Sequence, residues 1–391
     1  MKIALLTDGI YPFVIGGMQK HSFYLCKFLV KQGVEVDLFH CVPHGSKLPE
    51  HEDVLKAMEL EPDAPLKSVC IHFPRPDWLP GHYLKESYHY SAKLFELIQK
   101  DLDSYDFIYT KGFAGWRLID EKKRKKISTP PVSVKFHGYE MYQPPASFKA
   151  RFQHMILRGP VAFNNKNADY VFSYGGKITP IIQQLGVPEQ KIVEIPTGIE
   201  ANWCIKTPIS LEKNTRSFVF LGRYERRKGV EELNEVLQKL IGELDFEVHF
   251  IGPIPPSKKI QSECIHYHGK VMEKDAIQQI MSGCDVMLTP SHSEGMPNVI
   301  MEGMARGLAI IATDVGAVPL QVDDTNGWRI PPADTQALEQ AIRSAISMSA
   351  EGLMVKRKAS IQRIQDGFTW EIIARRTRES IEQIIQHPSA T

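Results

Sequence analysis

The 391-residue chain has little of several things that would narrow its class at once. Its six cysteines (Cys26, Cys41, Cys70, Cys204, Cys264, Cys284) are scattered, with no Cys-x-x-Cys pair and no Cys/His cluster at zinc spacing. That argues against a disulfide scaffold and a structural zinc module, and makes free thiols in a reducing compartment the expected state. No apolar stretch approaches the ~20 residues that a membrane-spanning helix needs. The N-terminal run, Met1-Lys-Ile-Ala-Leu-Leu-Thr7, is too short an apolar stretch for a secretory leader and leads into a turn. With 47 basic and 46 acidic residues the net charge is +1, which argues against a dedicated nucleic-acid binder. These shortfalls point to a cytoplasmic protein, with at most peripheral contact with the cytoplasmic face of a membrane.

What the chain does have is alternation. Short apolar runs separated by amphipathic helical stretches argue for an α/β protein with parallel sheets covered by helices. Strands are expected at Ile3–Leu6, Val34–Phe39, Val69–Phe73, Phe107–Tyr109, Val132–Phe136, Tyr170–Ser173 and Ile192–Ile195, with a first helix over Met18–Gln32. An irregular stretch at 196–215 reads as a linker. The pattern restarts at Ser217–Leu221, followed by a helix from Val230 to about Leu244 and strands at Glu247–Ile251, Ile265–His268, Val286–Thr289 and Ala309–Thr313. The boundaries are therefore 1–196 and 197–368, two Rossmann-like doubly wound domains facing across a cleft, with a last helical segment at 369–391. Such domains bind ligands at the carboxyl ends of their strands.

Four groups of residues lie at those ends. Between Ser291 and Gly307 the chain reads S-H-S-E-G-M-P-N-V-I-M-E-G-M-A-R-G, with Glu294 and Glu302 eight positions apart. Pro297 suits the first turn of a helix, which puts Glu294 in the preceding loop and Glu302 on the second turn. A wholly helical stretch would separate them by roughly 12 Å, about the span from sugar to ribose in a nucleotide sugar. Between them Gly295, Met296, Pro297, Asn298 and Val299 form a helix start, whose free N–H groups and positive dipole end suit a diphosphate. Arg223 and Lys228 lie in the basic loop F-L-G-R-Y-E-R-R-K-G after a strand and can clamp a leaving diphosphate; Arg226 and Arg227 are expected to be solvated. Gly16 and Gly17 close the loop Y-P-F-V-I-G-G after the first strand, where glycine lets backbone approach a ligand. His137 follows the strand ending at Phe136 and can donate to a sugar hydroxyl or an anionic oxygen. The other thirteen histidines show no ligand spacing, and no metal site is expected.

The E-x7-E pattern with G-M-P-N between its acids, the Arg223/Lys228 loop and the Gly-Gly loop resemble retaining glycosyltransferase family 4. The resemblance spans nearly the whole chain and is most specific between Phe220 and Asp334. It implies the GT-B architecture, with the 1–196 domain on the acceptor side, the 197–368 domain holding the donor, and the terminal helix packing back on the N-terminal domain. It implies a metal-independent, cofactor-free hexosyltransferase moving a sugar, with retention, from a nucleoside diphosphate sugar (UDP- or GDP-linked). The acceptor would be a hydroxyl of a glycan, glycolipid or small molecule in glycan or polysaccharide biosynthesis. By the same resemblance Arg223 and Lys228 bind the donor phosphates, Gly16 and Gly17 sit over them, His137 lies near the donor sugar, and Lys270 and Val271 contact the base. Two departures stand out: Pro196-Thr-Gly198 in place of Pro-Asn-Gly, and Gly316-Ala-Val-Pro-Leu320 in place of Gly-Gly-x-Pro-Glu. A sugar phosphorylase of the same fold and a non-catalytic transferase-like partner subunit are the alternative readings. The basic run Lys122–Lys126 could dock on anionic lipid, with a solvated helix end as the plainer reading.

Overall fold

The computed structural model describes residues 1–75, 81–124, 127–145, 147–209 and 215–387. The chain divides into two compact units, one of Met1–Tyr142, Phe152–Thr197 and Trp370–Thr391, the other of Gln143–Arg151 and Gly198–Thr369.

In the first unit, seven parallel strands run β1 (Lys2–Leu6), β2 (Glu35–Val42), β3 (Leu66–His72), β4 (Phe107–Lys111), β5 (Val132–Lys135), β6 (Tyr170–Ser173) and β7 (Ile192–Glu194). Their spatial order is β3-β2-β1-β4-β5-β6-β7. Parallel strands need crossovers, supplied here by α1 (Gly17–Lys31), α2 (His51–Met58), α3 (His82–Ile98), α4 (Trp116–Lys123), α5 (Phe148–Asn167) and α6 (Ile178–Gln184). Side chains alternate across a strand, so Ile3 and Leu5 enter one core cluster with Phe23, Leu25 and Leu29 of α1. Ala4 and Leu6 enter the other, with Tyr90 and Leu94 of α3. Helix α3 buries Ser87, Tyr90, Leu94 and Ile98, with Leu84 and Phe95 packed partly buried against the same cluster.

The second unit repeats this logic. Strands β8 (Arg216–Leu221), β9 (Phe246–Ile251), β10 (Ile265–Gly269), β11 (Val286–Thr289), β12 (Ala309–Thr313) and β13 (Gly327–Ile330) lie in the order β10-β9-β8-β11-β12-β13. The helices are α7 (Val230–Leu240), α8 (Lys274–Ser282), α9 (Asn298–Ala305), α10 (Val318–Gln321), α11 (Thr335–Ser347) and α12 (Ala350–Gly367). In both sheets the order reverses beside the first strand, so loops leaving adjacent strands diverge there and open a crevice. β13 escapes the sequence reading because Gly327 and Arg329 interrupt its apolar run.

The last helix, α13 (Trp370–Gln386), belongs to the first unit and packs on α1. Trp370 is buried, stacked on Phe28 with centroids 6.4 Å apart and edge-on to His21 at 5.2 Å. Ile373, Ala374, Ile381 and Ile384 continue the seam at helical spacing. Trp370→Ala should destabilise the first unit by about 3–5 kcal/mol, read as a lowered urea midpoint. An unchanged midpoint would separate α13 from the core.

Candidate functional site

The crevice of the second unit lies between the loops that follow β8 and β11. The loop after β8 closes with a short helical turn, Arg226–Lys228, and Gly229 at φ +68°. A Cβ on Gly229 would stand 1.9 Å from the Pro290 carbonyl oxygen, so only glycine lets this loop lie against the one leaving β11. That approach brings Lys228 Nζ 2.6 Å from Glu294 Oε1. Ser291 Oγ donates to the same oxygen at 2.8 Å, and Arg227 Nη1 reaches Oε2 at 3.5 Å. Glu294 is only 6% exposed, and its own carbonyl accepts from Gln143 Nε2 at 2.9 Å. The loop is braced from below. Thr313 Oγ1 donates to the Ser291 carbonyl (2.5 Å), Ala317 N to that of Gly295 (2.7 Å), and Gln321 Nε2 to that of Pro297 (3.1 Å).

Gly295, Met296 and Pro297 are buried within this loop, and helix α9 begins immediately after them. Pro297 is the N-cap with extended backbone, not a residue of the first turn, because α9 starts one residue later. Proline has no group with which to cap, and no side chain caps α9. The amide groups of Asn298 and Val299 therefore begin the helix without that partner. Asn298 Oδ1 is also buried without a hydrogen-bond partner. Glu302 sits half-buried on the second turn. The helix covers only the Glu302 end of the E-x7-E segment, so the wholly helical spacing does not apply.

The basic loop sorts differently from its sequence reading. Arg227, expected to be solvated, bridges Glu225 (3.0 Å) and Glu294. Arg226 is solvated as expected, its side chain 41% exposed while paired with Glu232 (2.6 Å) and His292. Arg223 is the outward member, with its side chain 73% exposed and paired with Glu225 at 2.8 Å. Lys270 is exposed and Val271 half-buried in the loop after β10. Because all six strands are parallel, that loop leaves the same rim of the sheet. Leu320, where the resembled family often has a carboxylate, is partly exposed.

In the first unit, Gly16 is the N-cap of α1 and Gly17 its first residue. A Cβ on Gly17 would lie 2.8 Å from His137 Nε2, so this glycine admits the imidazole to the helix start. His137 Nδ1 lies 2.7 Å from the Tyr174 hydroxyl. Burial raises the Tyr174 phenol well above its ordinary value, keeping it a neutral donor. Beneath lies a cluster that the sequence does not announce. Lys111 and Lys135, the last residues of β4 and β5, are fully buried. Lys111 Nζ is 2.9 Å from His21 Nδ1, and Lys135 donates to the Ile195 carbonyl at 2.7 Å while lying 4.1 Å above the Tyr174 ring.

Burial pushes Lys111 down to about 7, opposed by Asp8, and pushes Lys135 well below its ordinary value. Asp8, near Gln19 Nε2 at 3.2 Å, is raised to about 6 by burial. The unfolded chain therefore binds more protons at these lysines than the folded one from about pH 7 upward. Stability should rise with pH between about 7 and about 8.5, by up to about 1.4 kcal/mol per pH unit for each lysine. Lys111→Met should flatten that rise in chemical-denaturation curves. A wild-type stability that falls over the same window would mean the amines are charged.

The basic run shows three partnered members. Lys122 meets Asp169 (2.5 Å), Lys123 lies over the Phe163 ring (4.8 Å) and Arg124 meets Asp120 (2.9 Å). Lys125 and Lys126 lie outside the described residues. Among the described residues no helix is long and apolar enough to cross a membrane.

Comparison with known proteins places these features. The family described as Glycosyltransferase Family 4 matches residues 15–203, and that described as Glycosyl transferases group 1 matches residues 215–348. TuaC of Bacillus subtilis, a glycosyltransferase assigned to teichuronic acid biosynthesis, is 30% identical over 35% of this chain and 35% of its own length. The chain thus spans about a third of that relative in the match. Sucrose-phosphate synthase from Thermosynechococcus elongatus superposes with a TM-score of 0.74 at 19% identity, covering 98% of this chain and 99% of that one. HepE of Anabaena, solved with UDP, gives 0.66 at 16% identity over 98% of this chain and 100% of its own. The two parallel sheets are those of GT-B glycosyltransferases. Matched by these two families over most of its length, the chain belongs to the group 1, family 4 glycosyltransferases.

Proposed function

We propose that this protein is a retaining glycosyltransferase that moves a sugar from a nucleoside diphosphate sugar to a hydroxyl of a glycan, glycolipid or small acceptor. The observation that carries the reading is the Lys228–Glu294–Ser291 contact at the crevice of the second sheet, beside a helix start that no side chain caps. In this reading Glu294 holds hydroxyls of the donor sugar, and Glu302 anchors the ribose. Lys228, Arg223 and the helix start at Gly295, Met296, Pro297, Asn298 and Val299 meet the diphosphate. Asn298 Oδ1 gains a donor from the ligand. Lys270 and Val271 line the base, which HepE's UDP complex supports as uracil, with guanine the other candidate. Gly16, Gly17 and His137 serve the phosphates and the sugar from the first unit.

The chemistry follows from where charge builds. As the sugar C1–O bond to the β-phosphate breaks, negative charge grows on the leaving diphosphate. Cations and helix amides there stabilise the transition state more than the ground state. The acceptor oxygen bonds to C1 on the face the phosphate leaves, and its proton passes to the departing phosphate oxygen. No second carboxylate and no metal take part. The similarity to TuaC supports a role in polysaccharide or glycan assembly. Six free cysteines support a cytoplasmic setting.

Slow hydrolysis of UDP- or GDP-linked hexoses by the purified chain tests this without knowledge of the acceptor. Lys228→Ala should lower turnover by about 10²–10³-fold, and Glu294→Ala should abolish it with the thermal transition retained. A chelator should leave turnover unchanged. A fully active Glu294→Ala would remove that residue from the mechanism, and strict dependence on a divalent ion would overturn the charge assignment.

A further inference from the structure

The edge pair of strands in the second sheet, β9 and β10, carries a second constellation, with β9 lying next to β8 of the β8/β11 crevice. Glu247 and His249 are two apart on β9 and so share one face; Val248 and Phe250 point the other way, into the core. The parallel register sets His266 of β10 opposite His249. One ligand atom from each of Glu247, His249 and His266 lies within 4.8 Å of the other two. The His249 ring stacks on His266 (centroids 4.8 Å, 30°) and on His268 (5.3 Å, 16°). The register shifts between Tyr267 and Gly269, leaving His268 as the extra residue and bringing its Nε2 to 3.0 Å from His249 Nδ1.

We propose that Glu247, His249 and His266 bind one divalent transition-metal ion of the Zn²⁺ type, with His268 orienting His249 from behind. Two imidazoles and a carboxylate suit zinc and its neighbours better than calcium or magnesium, which prefer all-oxygen sites. A tetrahedral ion with bonds of about 2.0–2.2 Å sets ligand atoms roughly 3.3 Å apart. His249 Nε2 and Glu247 Oε2 already lie 4.0 Å apart, so small side-chain rotations close the set.

The surrounding hydrogen bonds fit this. A metal-bound imidazole commonly donates its other N–H to a neighbour, which fixes the tautomer. The 3.0 Å His249 Nδ1···His268 Nε2 contact can supply that neighbour, which leaves His249 Nε2, 4.0 Å from Glu247 Oε2, as the ligand atom. Ser217 Oγ donates to Glu247 Oε2 at 3.3 Å and steadies the carboxylate. The Glu247 and His249 side chains are 33% and 19% exposed, so an ion can enter a partly shielded place. Bound there, it ties β10 to β9 four residues before Lys270. The sequence shows the pairs E-V-H and H-Y-H, but only the register of two parallel strands puts them together. Spacing along the chain alone gave no ligand signal among these histidines.

The test uses the full chain without a histidine tag. Calorimetric titration with Zn²⁺ should show one ion per chain, weakened at least ~10-fold by His249→Ala and by Glu247→Gln. His72→Ala, at the separate His44–His72 ring contact (centroids 5.9 Å) in the first unit, should bind as the native chain does. Titration of the unsubstituted protein with Co²⁺ should give the intense visible absorption of a four-coordinate ion, a readout that needs no variant. Chelation should remove the ion and leave donor hydrolysis unchanged. Absence of stoichiometric binding, affinity unaltered in both variants, or only the weak spectrum of hexaaqua cobalt would each overturn the site.

Discussion

Lys228 and Glu294 meet at 2.6 Å in a place where Glu294 is nearly sealed from solvent. Burying a carboxylate costs several kcal/mol unless a counter-charge and hydrogen bonds compensate. Lys228, Ser291 and Arg227 supply them. The loop conformation around Glu294 follows from that requirement. Gly229 must be glycine for Lys228 to come close, and the braces from Thr313, Ala317 and Gln321 hold the loop that presents the acid. The pair satisfies both charges within the loop, the amine through the carboxylate and the carboxylate through the amine and Ser291.

The same strand order in both units puts the chemistry where it is. Reversal beside the first strand opens a crevice in each sheet, and the residues of interest lie on loops or strand ends there. In the first unit the crevice floor is lined by two buried lysines and His21, whose Nε2 is buried without a partner. Two lysines buried beside His21 are a costly arrangement for stability, the kind tolerated where a site needs it. His137, held by Tyr174 and admitted by Gly17, sits on top of that floor.

Much of this was legible in the sequence. Strands such as Tyr170–Ser173, Val286–Thr289 and Ala309–Thr313 are continuous apolar runs because both faces of a parallel sheet are buried. Position after a strand then pointed to Glu294, Lys228 and His137. What stayed hidden depends on contacts between distant segments. Arg227 and Arg223 look alike in sequence, yet only the turn at Arg226–Lys228 directs Arg227 to Glu294 and leaves Arg223 outward. Gln143 meets the Glu294 carbonyl across 151 positions of chain. Lys111 and Lys135 look like ordinary strand-end cations, and nothing local marks them as buried. The histidine set at 249 and 266 needed the register of β9 against β10.

The central claim is that Lys228 serves a donor diphosphate at the crevice of the second sheet. Calorimetric titration of UDP and GDP into the native chain and into Lys228→Ala tests it most directly. The account predicts saturable binding of at least one of the two nucleotides, weakened about tenfold or more in the variant, since a charge-assisted hydrogen bond contributes about 1.5–3 kcal/mol. Equal affinity in the two proteins, or no binding of either nucleotide to the native chain, would contradict it.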